Sequence, residues 1–241
     1  DYKLANPLLE KVKSGKIDES VIDERIERIL TMMERIKLGD KTRNKGCTNT
    51  KDHQQTIQQI AEEGIVLLKN DTAHLPLSKE TKKILVLGDN AKRTHAAGGG
   101  SAEIKALYDI SPLLGMRMVL GGDAQIDWLP GYYVDNEKHV AGEVDWQAES
   151  LDVDYTTDRG KEQFDKEIRP IREKYLKEAL DACPSYDEVI FIGGLNHAYD
   201  VEGFDRPDMT LPYGQNEVIE ALTEKCKNLT VVLINGGPVE M

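Results

Sequence analysis

The sequence predicts an α/β fold, a mostly parallel sheet flanked by helices. Two observations carry the prediction. Short apolar runs recur at 84–88, 189–193 and 231–235, each bounded by glycine, asparagine or charged residues. They are apolar at nearly every position rather than at alternate ones, which marks strands covered on both faces. Longer stretches with three- and four-residue apolar spacing lie between them, and strands alternating with helices fold as parallel sheets with crossover connections.

The elements follow in order. Residues 8–38 read as two helices broken at Ser14-Gly15-Lys16. Ile17, Val21, Ile22, Ile26, Ile29, Leu30 and Met33 fall on one face of the second, and Asp18 is placed to cap it. Two helices cannot bury such a stripe between themselves. Residues 39–52 are polar with two glycines and read as a linker. A third helix is expected through Ile57, Ile60, Ala61, Ile65, Leu67 and Leu68, ending at Asn70-Asp71. The strand at 84–88 comes next, then a helix at about 107–119, a weaker strand at 125–128 and a helix at about 161–181. The strand at 189–193, a helix at about 214–226 and the strand at 231–235 complete the pattern. Residues 121–167 hold 13 acidic and 4 basic side chains without a firm period, and read as a solvated excursion.

Composition excludes several classes. Of 241 residues, 39% are hydrophobic and 31% charged, which suits a soluble globular chain rather than a disordered one. The net charge of −12 opposes nucleic-acid binding, which needs cations to neutralise phosphates. No apolar run approaches the roughly 18 residues of a membrane span. Cys47, Cys183 and Cys226 lack the spacing of a disulfide framework or a zinc site, so reduced thiols and a cytoplasmic location are expected. His53, His74, His95, His139 and His197 form no metal-ligand pattern, and neither metal nor cofactor is expected.

In parallel sheets, ligands gather beyond the carboxyl ends of the strands. Three segments stand there: 89–91, the glycine-rich 98–101, and 194–206. The first lacks the glycine spacing of a dinucleotide fold, and no phosphate-loop lysine follows either glycine segment, which counts against a nucleotide site. The third is too long for a tight strand-to-helix turn. It carries Asp200, Glu202 and Asp205 beside Arg206. Neighbouring carboxylates raise one another's pKa and an arginine lowers it, so one acid can stay protonated while another stays ionised. That is the working state of a general acid, and equally the description of a hydrated acidic loop. Trp128, Trp146, Tyr132 and Tyr133 are of the kind that stacks on sugar rings or fills a core.

Seven blocks then coincide in order: SGKIDESVIDERIERIL, IAEEGIVLLKND with LPL, KILVLGDNA, GGGSA, ISPLLGM, EGFDRPDMTLPYGQNEVIEAL and VVLINGGPVEM. Together they resemble glycoside hydrolase family 3 of the β-glucosidase type. The family plan is a (β/α)8 barrel followed by an α/β sandwich. The resemblance implies that 1–38 are the last helices of the barrel, 39–52 a linker, and 53–241 a sandwich domain that continues beyond Met241.

It also implies a retaining glycosidase that releases terminal β-D-glucose. The general acid/base is then the Glu of the EGxDR pattern, here Glu202, while the Asp nucleophile lies on a barrel strand outside this chain, leaving the chain alone inactive. Asp200 falls where some relatives carry another acid, which makes it the substitute candidate for the acid/base role and a substrate-binding candidate, and Ser101 matches a substrate-binding position near the sugar. The expected partners are a small glycoside and the barrel domain of the same protein, with self-association as a further expectation. A non-catalytic carbohydrate-binding or scaffolding module working with a separate barrel chain is the alternative.

Overall fold

The computed structural model describes residues 4–42, 44–95, 104, 106–134, 164–197, 199–200, 206 and 208–241. The chain divides into two compact units, Asp1–Asp71 and Thr72–Met241.

The first unit is helical. Helix α1 spans Asn6–Lys13, α2 Glu19–Arg35 and α3 Lys51–Gly64. Asp18 caps α2 as expected, accepting a hydrogen bond from the Ser20 amide at 2.9 Å. Thr50 caps α3 through the His53 amide at 3.2 Å. None of the three helices buries a residue, and Val21, Ile26, Ile29 and Leu30 are all exposed. The third helix ends earlier than its apolar spacing suggests. Ile65 already has extended dihedrals, φ −76° and ψ 125°, and 65–70 continues without regular structure. Gly64 followed by two β-branched residues, Ile65 and Val66, favours leaving the helix there.

The second unit is the parallel sheet. Strand β1 is Lys83–Leu87, β2 Gln125–Leu129, β3 Glu188–Gly194 and β4 Leu229–Ile234. Their order is β2-β1-β3-β4, and every pairing is parallel. Helix α4 (Pro112–Leu120) joins β1 to β2, α5 (Arg169–Ala182) precedes β3, and α6 (Gln215–Lys225) joins β3 to β4. Helix α4 starts later than the spacing suggested, because Ser111 caps it through the Leu114 amide and Pro112 occupies its first turn.

Alternate residues feed two cores. Leu85, Leu87, Val189 and Phe191 pack with Ala179 of α5, and with Val218 and Leu222 of α6. Ile84, Val86, Ile190 and Ile192 pack with Leu113 of α4 and with Ile126. This two-sided burial is why β1 and β3 read as unbroken apolar runs. β4 is one of the two edge strands among the described residues, and Val231 and Val232 remain 40% exposed.

The base of the sheet carries a polar anchor. Glu188, only 2% exposed, meets His74 Nε2 at 3.0 Å and accepts a hydrogen bond from Thr230 Oγ1 at 3.0 Å. Among the described residues, no group of His, Cys, Asp and Glu could hold a metal ion, and no helix is long and apolar enough to cross a membrane.

The cysteines fall in contrasting surroundings. Cys47 is exposed, while Cys183 is buried in the α5–α6 core beside Cys226. Burial, reinforced by its hydrogen bond to Cys226, pushes the Cys183 thiol up to about 12. At pH 8 its thiolate fraction is then about one part in ten thousand. With iodoacetamide at pH 8, peptide mapping should find Cys47 alkylated first and Cys183 last, and Cys183 should become reactive only on denaturation. Equal rates in the native chain would contradict the packing.

Candidate active site

The carboxyl end of the sheet is assembled by buried amides. At the end of β1, Asp89–Ala91 form a single 3-10 turn that carries Asn90 inward. Asn90, 1% exposed, donates from Nδ2 to the carbonyls of Gly193 and Leu195, both at 2.9 Å. It thereby stitches the end of β1 to the end of β3. From the other side Gln215, fully buried at the start of α6, holds Gly194 with both functions of its amide. Its Oε1 accepts from the Gly194 N–H at 2.8 Å, and its Nε2 donates to the Gly194 carbonyl at 2.8 Å. Gly194 sits at φ 110°, where a Cβ would run into the Ile234 carbonyl. Only glycine lets β3 turn away so close to β4.

The chain after β3 is held just as closely. The Leu195 N–H reaches the Ile234 carbonyl at 3.0 Å and Asn235 Oδ1 at 3.2 Å. Asn196 Nδ2 donates to the Tyr213 hydroxyl at 2.9 Å. Tyr199 lies edge-on to the Tyr213 ring with centroids 5.3 Å apart. The amides of Tyr199 and Asp200 close a turn on the Asn196 carbonyl at 2.9 and 2.8 Å.

Of the residues singled out on the sequence, Asp200 is at this end of the sheet. Its Oδ2 accepts the Gly236 N–H at 2.6 Å. Arg206 is there too, donating from its guanidinium to the Pro238 carbonyl. Glu202 and Ser101 lie outside the described residues, as do Asp205, the whole 98–101 glycine segment, and most of the acidic excursion. Asp89, grouped with these ligand-facing segments, pairs with Arg93. Trp128 donates from Nε1 to the Gly88 carbonyl at 2.9 Å, and Lys92 Nζ lies 3.3 Å from its ring centroid. Tyr132 stacks on Tyr213 inside the core.

Two buried nitrogens at this end, His95 Nε2 and Arg206 Nη1, have no hydrogen-bond partner among the described residues. His95 lies edge-on to His197 with ring centroids 6.1 Å apart. Its pKa is held below the usual 6.5, first by burial, then by His197 and Arg93, while Asp89 and Asp200 oppose the shift. A histidine with a lowered folded pKa takes up fewer protons than the unfolded chain just below pH 6.5, so stability falls as the pH drops through that window. His95→Gln should flatten this acid-side slope in urea titrations between pH 5 and 7. An unchanged slope would show that His95 does not contribute to it.

Comparison with known proteins fits this architecture. The profile of the glycosyl hydrolase family 3 C-terminal domain matches residues 65–241. The chain belongs to glycosyl hydrolase family 3. A β-glucosidase of Bacteroides ovatus is 35% identical over 100% of this chain and 30% of its own length. A β-xylosidase of Formosa agariphila is 31% identical over 100% of the chain and 29% of its own. The crystal structure of a family 3 β-glucosidase from Bifidobacterium adolescentis superposes with a TM-score of 0.70 at 23% identity, covering 100% of this chain and 30% of that one. The chain therefore spans under a third of the length of these three relatives.

Sequence reasoning missed the buried amides of Asn90, Asn196 and Gln215. Their partners are backbone groups and a tyrosine hydroxyl far away in sequence, so no local pattern announces them.

Proposed function

We propose that the full-length protein carrying this chain is a retaining β-glucosidase, and that this chain supplies its general acid/base, Glu202. The carrying observation is the family match through 65–241, which includes EGFDR at 202–206, in the segment that follows β3 in sequence. The described residues on either side of Glu202, Asp200 and Arg206, stand at the carboxyl end of the sheet, where parallel folds place their ligands.

A retaining glycosidase needs two carboxyl groups about 5–5.5 Å apart. In this reading a carboxylate of the preceding barrel attacks the anomeric carbon. Glu202 gives its proton to the glycosidic oxygen as the bond to the departing alcohol breaks. Glu202, now a carboxylate, takes a proton from water, whose oxygen displaces the barrel carboxylate from the anomeric carbon. Residues 1–38 close that barrel, 39–52 connect, and 53–241 form the second domain.

The direct test is Glu202→Ala with sodium azide and an aryl β-glucoside. Azide needs no base, so it should restore turnover and yield the β-configured glucosyl azide. An aryl β-xyloside run in parallel sets glucose against xylose preference. Wild-type hydrolysis without azide would remove Glu202 from the role.

A further inference from the structure

We propose that the turn at 235–238 clamps both stems of the 201–205 segment, and that Asp200 and Gly236 are positioning residues for Glu202. The inference rests on the function proposed above.

Three ties run along the same short strip. Asp200, 36 residues before Gly236, receives the Gly236 N–H on its carboxylate at 2.6 Å. Arg206, 32 residues before Pro238, donates to the Pro238 carbonyl. The Glu240 N–H reaches the Met209 carbonyl at 2.7 Å. The strip itself is rooted in the sheet, because Asn235 at the end of β4 receives the Leu195 N–H at 3.2 Å. The segment bearing Glu202 is thus fastened just before it begins and just after it ends.

The fit leaves no slack. A Cβ on Gly236 would lie 2.7 Å from Asp200 Oδ2 and 3.0 Å from its Cγ. A Cβ on Gly237 would lie 3.2 Å from the Arg206 guanidinium. The two glycines let the carboxylate and the guanidinium settle directly on backbone. One oxygen of the Asp200 carboxylate is therefore bound to backbone, which suits it to brace the segment that bears Glu202.

The test compares Asp200→Ala, Asp200→Asn, Gly236→Ala, Glu202→Ala and the Asp200→Ala/Glu202→Ala double variant in the full-length protein, with an alkyl β-glucoside. A misplacement of about 1 Å costs roughly a hundredfold, so Asp200→Ala and Gly236→Ala should lower kcat by about 30- to 100-fold with KM held within about twofold. Asp200→Asn keeps an acceptor for the Gly236 N–H and should recover most of the rate. The double variant should be no slower than Glu202→Ala alone, because the brace acts only through Glu202.

An additive double variant, a raised KM with kcat kept, or wild-type rates in Asp200→Ala and Gly236→Ala would each overturn the clamp. Gly236→Ala displaces the carboxylate without deleting it, so it carries the test if Asp200→Ala does not fold. The two readings fail separately. Wild-type activity in Glu202→Ala sinks the proposed function, whereas collapse of Glu202→Ala beside unaffected clamp variants sinks the clamp alone.

Discussion

In the full-length protein, Glu202→Gln is expected to lower kcat/KM for an alkyl β-glucoside by about a thousandfold, within the range that general acid–base catalysis supplies. Glutamine keeps the size and polarity of the side chain and removes its ionisable proton. The loss should therefore depend on the leaving group. An alkoxide departs with difficulty and needs the proton, whereas a dinitrophenolate leaves unaided, so its glycosylation step should fall by no more than about tenfold. The pH profile supplies an independent sign. The alkaline limb of kcat/KM, which reports loss of the proton from the acid, should vanish in the variant. Equal losses for both substrates, with the alkaline limb retained, would point to misfolding or to another proton donor.

The second large effect is on stability. Gln215→Ala removes the side chain that satisfies both backbone groups of Gly194, at a position with no access to solvent. Each buried group left without a partner costs about 1–3 kcal/mol, so the variant should lose about 2–5 kcal/mol. Hydrogen exchange across Glu188–Gly194 should report the loss locally, and the urea midpoint globally. Gln215→Glu is the sharper companion. Burial would raise the pKa of the new carboxyl, so its tolerance should be greatest in acid and should decline as the pH rises through that value. Unchanged exchange in Gln215→Ala would mean that the amide bridge contributes nothing beyond filling space.

How much could be read beforehand follows from the range of each interaction. β1 and β3 were legible because burial on both faces makes every position apolar, as Ile84 to Leu87 and Val189 to Ile192 show. The Asp18 cap was legible because its partner is two residues away. The early end of α3 was not, because the apolar spacing through Ile65 and Leu68 continues beyond the point where the backbone leaves the helix. The start of α4 was readable in Ser111-Pro112 but was masked by the apolar residues before it, Leu107 and Ile110. At the candidate site the segments were legible from strand polarity, and Glu202 came from the family pattern alone. The engagement of Asp200 by Gly236 could not be read, because it joins residues that only the neighbouring placement of β3 and β4 brings side by side.

That border of buried amides has a consequence for how such a domain changes over generations. Asn90 and Gln215 close the sheet at Gly193, Gly194 and Leu195, with both packed layers on one side of them and Asp200 and Arg206, the described stems of the proposed acid/base segment, on the other. Drift in specificity can therefore accumulate beyond this seam while Phe191 and Leu87 stay fixed, and selection for folding and selection for chemistry act on separate sets of codons.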